Sequence, residues 1–159
     1  MKHYLGIGLI AAFLLASPAS ILAQTDPFAG TWKLNVTKSK YDPGPSPRSQ
    51  TRLWEPSGDG QMVSVESIDA TGNRRTFGYW IKYDGIDHPI TGTIVNGADS
   101  IATKHIDTYT LGATFKRNGK IIERATFAVS KDGKVVTVTA KGTTANGQAF
   151  SNVTVWDKQ

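Results

Sequence analysis

Cysteine is absent from the 159 residues. That excludes disulfides, thiolate nucleophiles, Cys-bound metal sites and a lipid anchor on an N-terminal cysteine. Histidine is scarce, and beyond the N-terminal segment only His88 and His105 remain. No HxH or HExxH spacing occurs, so no local metal centre is expected. No serine sits in a nucleophile elbow and no two carboxylates share an apolar strand face, so the chain is not expected to be an enzyme. After the first two dozen residues there is no long apolar run and no capped helical pattern. Without staples, stability must come from a core, and the roughly 136 residues after Ala23 suffice for one domain.

The start is different in character. Met1-Lys2-His3 leads into YLGIGLIAAFLLA and then SPASILAQTDP. A basic start, an apolar run of about a dozen residues and a small-residue zone read as a secretory signal peptide over 1–23. Cleavage is expected after Ala23, with Ala19 as the second choice. The run is shorter than the ~20 residues that cross a bilayer, so no stable membrane insertion is expected after cleavage. The domain at 24–159 is then free in the periplasm or outside the cell. The full chain's formal net charge of +5, one unit of it from Lys2 of the leader, is spread over short pairs such as Arg74-Arg75 and Lys116-Arg117. Nucleic-acid binding would need a basic stripe with stacking aromatics, and it is not expected.

What the chain does have is turn chemistry. Ser57-Gly58-Asp59-Gly60, Thr71-Gly72-Asn73, Asp84-Gly85, Asn96-Gly97, Asn118-Gly119, Asp132-Gly133 and Asn146-Gly147 recur along it, with Asp107-Thr108 filling one gap. Tight hairpins favour such residues because they accept positive φ. A spacing of roughly 11–14 residues leaves strands of about eight. Between turns the pattern alternates: Phe77, Tyr79, Ile81 and Tyr83 share one face of a strand, and Tyr109, Leu111, Ala113 and Phe115 one face of another. Strands are expected near 28–36, 49–56, 61–69, 74–84, 88–95, 99–106, 109–117, 120–130, 134–142 and 149–157. Such a meander protects its two edges by closing. The expected fold is all-β, an antiparallel up-and-down barrel of about 8–10 strands, wide enough to enclose a cavity. A Greek-key sandwich would want longer connections than these. One connection is long: the prolines at 43, 45 and 47 in TKSKYDPGPSPRSQ exclude a helix and make the loop over 41–48 either a plain cover between strands or a flap over the barrel mouth.

Gly30, Trp32 and Leu34 in FAGTWKLN, the hairpin meander, and the ending NVTVWDK resemble the calycin group, which includes lipocalins, fatty-acid-binding proteins and avidins. The chain looks most similar to short secreted bacterial lipocalin-like proteins, with first and last strands similar to those of fatty-acid-binding proteins. The resemblance implies a barrel sealed at one end by Gly30, Trp32 and Leu34, and a small ligand inside. Fatty-acid-binding proteins hold the carboxylate with an Arg and a Tyr two apart in the last strand. Thr154 and Trp156 stand at the matching positions, so that clamp is missing. The lid helices of that family are replaced by the Pro-rich loop.

The candidate cavity residues are therefore Phe77, Tyr79, Ile81 and Tyr83 on one strand, Tyr109, Leu111 and Phe115 on another, and Thr154 and Trp156 on the last, with Thr137 and Thr139 as further polar groups. Arg124 is a candidate displaced clamp, on a face shared with Ile122 and Thr126. Burying an unpaired carboxylate costs several kcal/mol, so without a clamp a neutral or weakly polar lipophile is favoured. Haem held by one His occurs on related barrels, but His105 reads as a strand-end residue and no cofactor is expected. Two functions lead: a monomeric carrier or scavenger of a small hydrophobic or amphipathic molecule, and a protein-interaction or inhibitor barrel without a ligand. The resemblance also keeps an enzyme as a third reading, since some calycin relatives carry out redox or isomerase chemistry.

Overall fold

The computed structural model describes residues 26–94 and 96–159, and the segment read as a leader lies outside the described residues. Among the described residues there are ten strands and no helix: β1 (Gly30–Lys40), β2 (Ser49–Ser57), β3 (Gly60–Ile68), β4 (Arg74–Ile81), β5 (His88–Gly92), β6 (Ser100–Asp107), β7 (Thr110–Arg117), β8 (Lys120–Val129), β9 (Val135–Thr143) and β10 (Ala149–Lys158). They follow the expected order. The β7–β8 hairpin shows why: Asn118 and Gly119 both take positive φ, 50° and 74°, as a two-residue hairpin turn requires.

Every strand pairs antiparallel with its sequence neighbour, and β1 pairs with β10, so the sheet closes into a barrel. β1 runs four residues beyond the expected stretch. After Asn35↔Val155 the register with β10 shifts and resumes at Lys40↔Val153. Ser39 Oγ bridges the shift, accepting from the Val155 amide at 3.0 Å and donating to the Asn35 carbonyl at 2.7 Å. β4 ends early, at Ile81, because Tyr83 turns out of the strand with φ 58°.

Period-two alternation points Val63, Val65, Phe77, Tyr79, Ile101, Leu111, Val136 and Val138 inward, and all are buried. One strand breaks the pattern. Phe115 pairs with Glu123 but Lys116 pairs with Ile121, so Ile122 is an extra residue in β8. This bulge shifts the faces by one: Glu123, Ala125 and Phe127 point inward, and Arg124 points out. Gly142 of β9 makes room for it, since a Cβ there would stand 2.1 Å from the Ile122 carbonyl oxygen. Gly142→Ala is expected to lower the unfolding free energy by about 2 kcal/mol, read from urea denaturation. An unchanged midpoint would show that β9 does not need glycine there.

A packed aromatic layer surrounds Trp32 inside the barrel. Trp32 is 1% exposed, and its indole N–H donates to the Phe28 carbonyl at 2.7 Å. Phe28 stacks on Trp54 at 5.2 Å between centroids, and Trp54 meets Phe127 edge-on at 5.9 Å. Leu34 is buried above this layer. Gly30 leaves space for the Lys158 stem, whose ammonium lies 5.0 Å from the Trp32 ring.

Candidate ligand-binding site

The barrel holds a partly open cavity of about 490 Å³. Its apolar wall is made by Phe77, Phe115, Phe127, Val138, Ala140 and Trp156, all buried inward positions of their strands. The Pro-rich loop forms another part of its lining. That loop is tied at both ends. The Asp42 carbonyl accepts from the Ser151 amide at 2.6 Å, and the Arg48 amide donates to the Ile68 carbonyl at 2.9 Å. The Arg48 guanidinium also donates to the Ala70 carbonyl at 3.1 Å. The loop therefore borders the cavity, with Tyr41, Pro43, Pro45 and Pro47 along it.

Polar groups enter this apolar space from three strands and a loop. Arg52 of β2 lays its guanidinium 4.1 Å from the Trp156 ring centroid and 5.4 Å from that of Phe127. Its Nε is buried without an acceptor, and no described carboxylate forms an ion pair with it. Arg75 of β4 lies 3.5 Å from Asp69 Oδ2, and its own Nε is likewise buried without an acceptor. Asp69 accepts from Thr71 and Asn73, which holds its carboxyl well below the ordinary range. Glu123 enters from β8 and accepts a hydrogen bond from the Asn96 side-chain amide. Burial pushes its carboxyl up to about 7, against the opposing pull of Asn96 and the Arg52 charge. Burial also pushes the Tyr41 hydroxyl up to about 12, with Arg52 pulling the other way.

Of the expected cavity residues, Phe77, Tyr79, Phe115, Thr154 and Trp156 line this space. Thr154 and Trp156 are joined to each other, the indole N–H donating to the threonine hydroxyl at 2.9 Å. The others lie elsewhere. Ile81 and Leu111 are fully buried in the core but do not line the cavity. Tyr109 sits beyond the end of β6 and is 38% exposed. Tyr83 leaves its strand, donates to the Asp26 carboxylate, accepts from Gln61 at 3.3 Å and stacks on His105 at 3.8 Å. Arg124 is corrected outright: the Ile122 bulge turns it to the outer wall, where it borders a shallow groove with Lys104 and Thr126. Thr137 and Thr139 face outward too, because Val136, Val138 and Ala140 take the inward positions of β9. His88 pairs with Asp84 at 2.9 Å, and no group of potential metal ligands forms among the described residues.

Sequence reasoning missed Arg52, Arg75, Glu123 and Asn96. Arg52 was recoverable, since it alternates with Trp54 and Gln50 in SQTRLWEPS. Glu123 was not, because its direction depends on the bulge.

These features define a closed ten-strand antiparallel meander barrel with an amphipathic interior cavity. No family model matches the chain, and no curated protein does. Among solved structures, a zebrafish ileal bile acid-binding protein complexed with cholic acid aligns over 84% of this chain and 99% of that one, with a TM-score of 0.49 and 12% identity.

Proposed function

We propose that the protein is an exported carrier or scavenger that holds one small lipophilic or amphipathic molecule inside its barrel. The observation that carries this reading is the cavity of about 490 Å³ bordered by the Pro-rich loop, within the ~300–1,000 Å³ range of ligand sites. A barrel that only docked other proteins would have no need of an unfilled interior. Closure leaves no sheet edge to pair with a partner, so one chain suffices. Outward positions such as Ser64 and Glu66 of β3, or Arg124 and Thr126 of β8, are polar and exposed, unlike the apolar band of a membrane barrel. With the leader 1–23 removed, the protein works in the periplasm or outside the cell, and in that setting the reading is of a lipocalin-like protein.

Two measurements test it. A native mass spectrum of protein purified from cells that make it is expected to show a one-to-one small-molecule adduct. Ala140→Trp, which places an indole in the cavity, is expected to weaken binding of the uncharged fluorophore N-phenyl-1-naphthylamine by about tenfold or more while unfolding stays cooperative. A bare mass together with undiminished dye binding in the variant would overturn the interior site.

A further inference from the structure

The geometry points to a ligand that is an amphipathic organic acid, a single carboxylate or sulfonate on an apolar body, bound at Arg52 together with a proton taken up by the site. The inference rests on the interior-binding reading above.

Among the described residues that line the cavity, Arg52 is a guanidinium with no carboxylate partner. Its cationic face is already covered by Trp156 and its Nε is buried, which leaves the terminal nitrogens of the guanidinium for an anion. A guanidinium edge matches the two oxygens of a carboxylate or sulfonate. Arg75 does not compete equally, because Asp69 stands 3.5 Å away and partly neutralises it. The apolar body of the ligand then lies against Phe77, Phe115 and Val138. Thus the cavity separates a charged head site from an apolar wall, which an uncharged lipophile would use only in part.

The proton follows from the opposite wall. Without ligand, the Glu123 carboxylate is the acid that feels the Arg52 charge inside the barrel. Other groups facing this space are Asp69, committed to its turn and Arg75, and the hydroxyls of Tyr41 and Tyr79, which stay protonated near neutrality. The strands flanking Glu123 add no charge: its register partners are Phe115 and Gly142, and Lys116 pairs outside with Asp87 at 2.8 Å. An incoming anion takes over Arg52 and adds a like charge to the same low-dielectric space. Both effects favour neutral Glu123, which keeps Asn96 as its hydrogen-bond donor. A group poised at about 7 then makes acid binding stronger at pH 6 than at pH 8, by about tenfold.

The test uses two fluorophores that differ by one group, 1-anilinonaphthalene-8-sulfonate and its uncharged analogue N-phenyl-1-naphthylamine. The sulfonate stays ionised throughout, so any pH dependence belongs to the protein. The expected result is that wild type prefers the sulfonate, with an affinity falling about tenfold from pH 6 to pH 8, while that of the uncharged dye stays level. Arg52→Gln is expected to cut the preference for the sulfonate by about tenfold or more, and Glu123→Gln to remove its pH slope. Calorimetry in two buffers of different ionisation enthalpy is expected to show net proton uptake at pH 7.5 with wild type alone, which keeps the test decisive should Arg52→Gln fail to fold. Binding of the uncharged dye with a pH-independent or Arg52-independent sulfonate response would overturn the acid site and leave the cavity standing. Binding of neither dye would overturn both.

Discussion

Trp32→Ala is expected to cost about 3–5 kcal/mol of unfolding free energy, the largest effect of any single truncation proposed for this chain. Trp32 is 1% exposed and packs in the buried layer that includes Phe28 and Trp54. Removing the indole deletes the largest side-chain area available at that position and leaves a void that β1 and β10 cannot fill, because their pairing fixes their spacing. It also strands the Phe28 carbonyl that the indole N–H serves at 2.7 Å. A domain of this size holds about 5–15 kcal/mol in total, so the variant is expected to sit near the edge of folding. Trp32→Phe retains most of the aromatic bulk and loses the hydrogen bond, and should fall between the two, at a cost of about 1–2 kcal/mol. Urea denaturation monitored by circular dichroism measures all three proteins. A loss under about 1 kcal/mol for the alanine variant would mean that this layer does not depend on Trp32.

Glu123→Gln is expected to stabilise the protein at pH 8 and to be neutral near pH 4. Burial raises the folded-state carboxyl from 4.5 to about 7. Between those values the folded chain holds a proton that the unfolded chain has released. Stability therefore falls as pH rises through this window, and it is lowest, on Glu123's account, above about 7. The glutamine keeps a carbonyl oxygen for the Asn96 amide and never ionises. Its advantage should thus grow from nothing below pH 4.5 to about 3 kcal/mol above pH 7. Turn carboxylates such as Asp69, held low by hydrogen bonds, lose their contribution in acid with the opposite sign. Both proteins share them, so they cancel in the difference. Parallel thermal melts at pH 4 and pH 8 give the answer, and a variant no more stable than wild type at pH 8 would place Glu123 in contact with water rather than in the barrel.

These two residues also mark how far the chain could be read before its structure. The order of ten antiparallel strands is set by local chemistry: turn residues such as Asn118-Gly119 that accept positive φ, and alternating stretches between them. Both signals are short-range, and so they survive in the linear text. The burial of Trp32 was legible for the same reason, as a large apolar side chain on the first alternating strand. Phe77, Tyr79 and Phe115 were placed rightly inside because their strands keep a strict period of two.

Tertiary structure decided the rest. Arg124 and Glu123 exchanged faces through one inserted residue, Ile122, and nothing in KIIERATF marks that insertion until Gly142 on the neighbouring strand gives it room. Tyr83 looked like cavity lining and instead leaves its strand to meet Asp26 and His105, which reach it from distant parts of the chain. The length of barrel that stays open, and the meeting of Arg52 with Trp156 inside it, depend on strand register around the whole closed sheet. Local sequence specifies which residues can form a strand and where it turns. Which side chains share an interior is a property of the closure, and a shift of one residue reverses it.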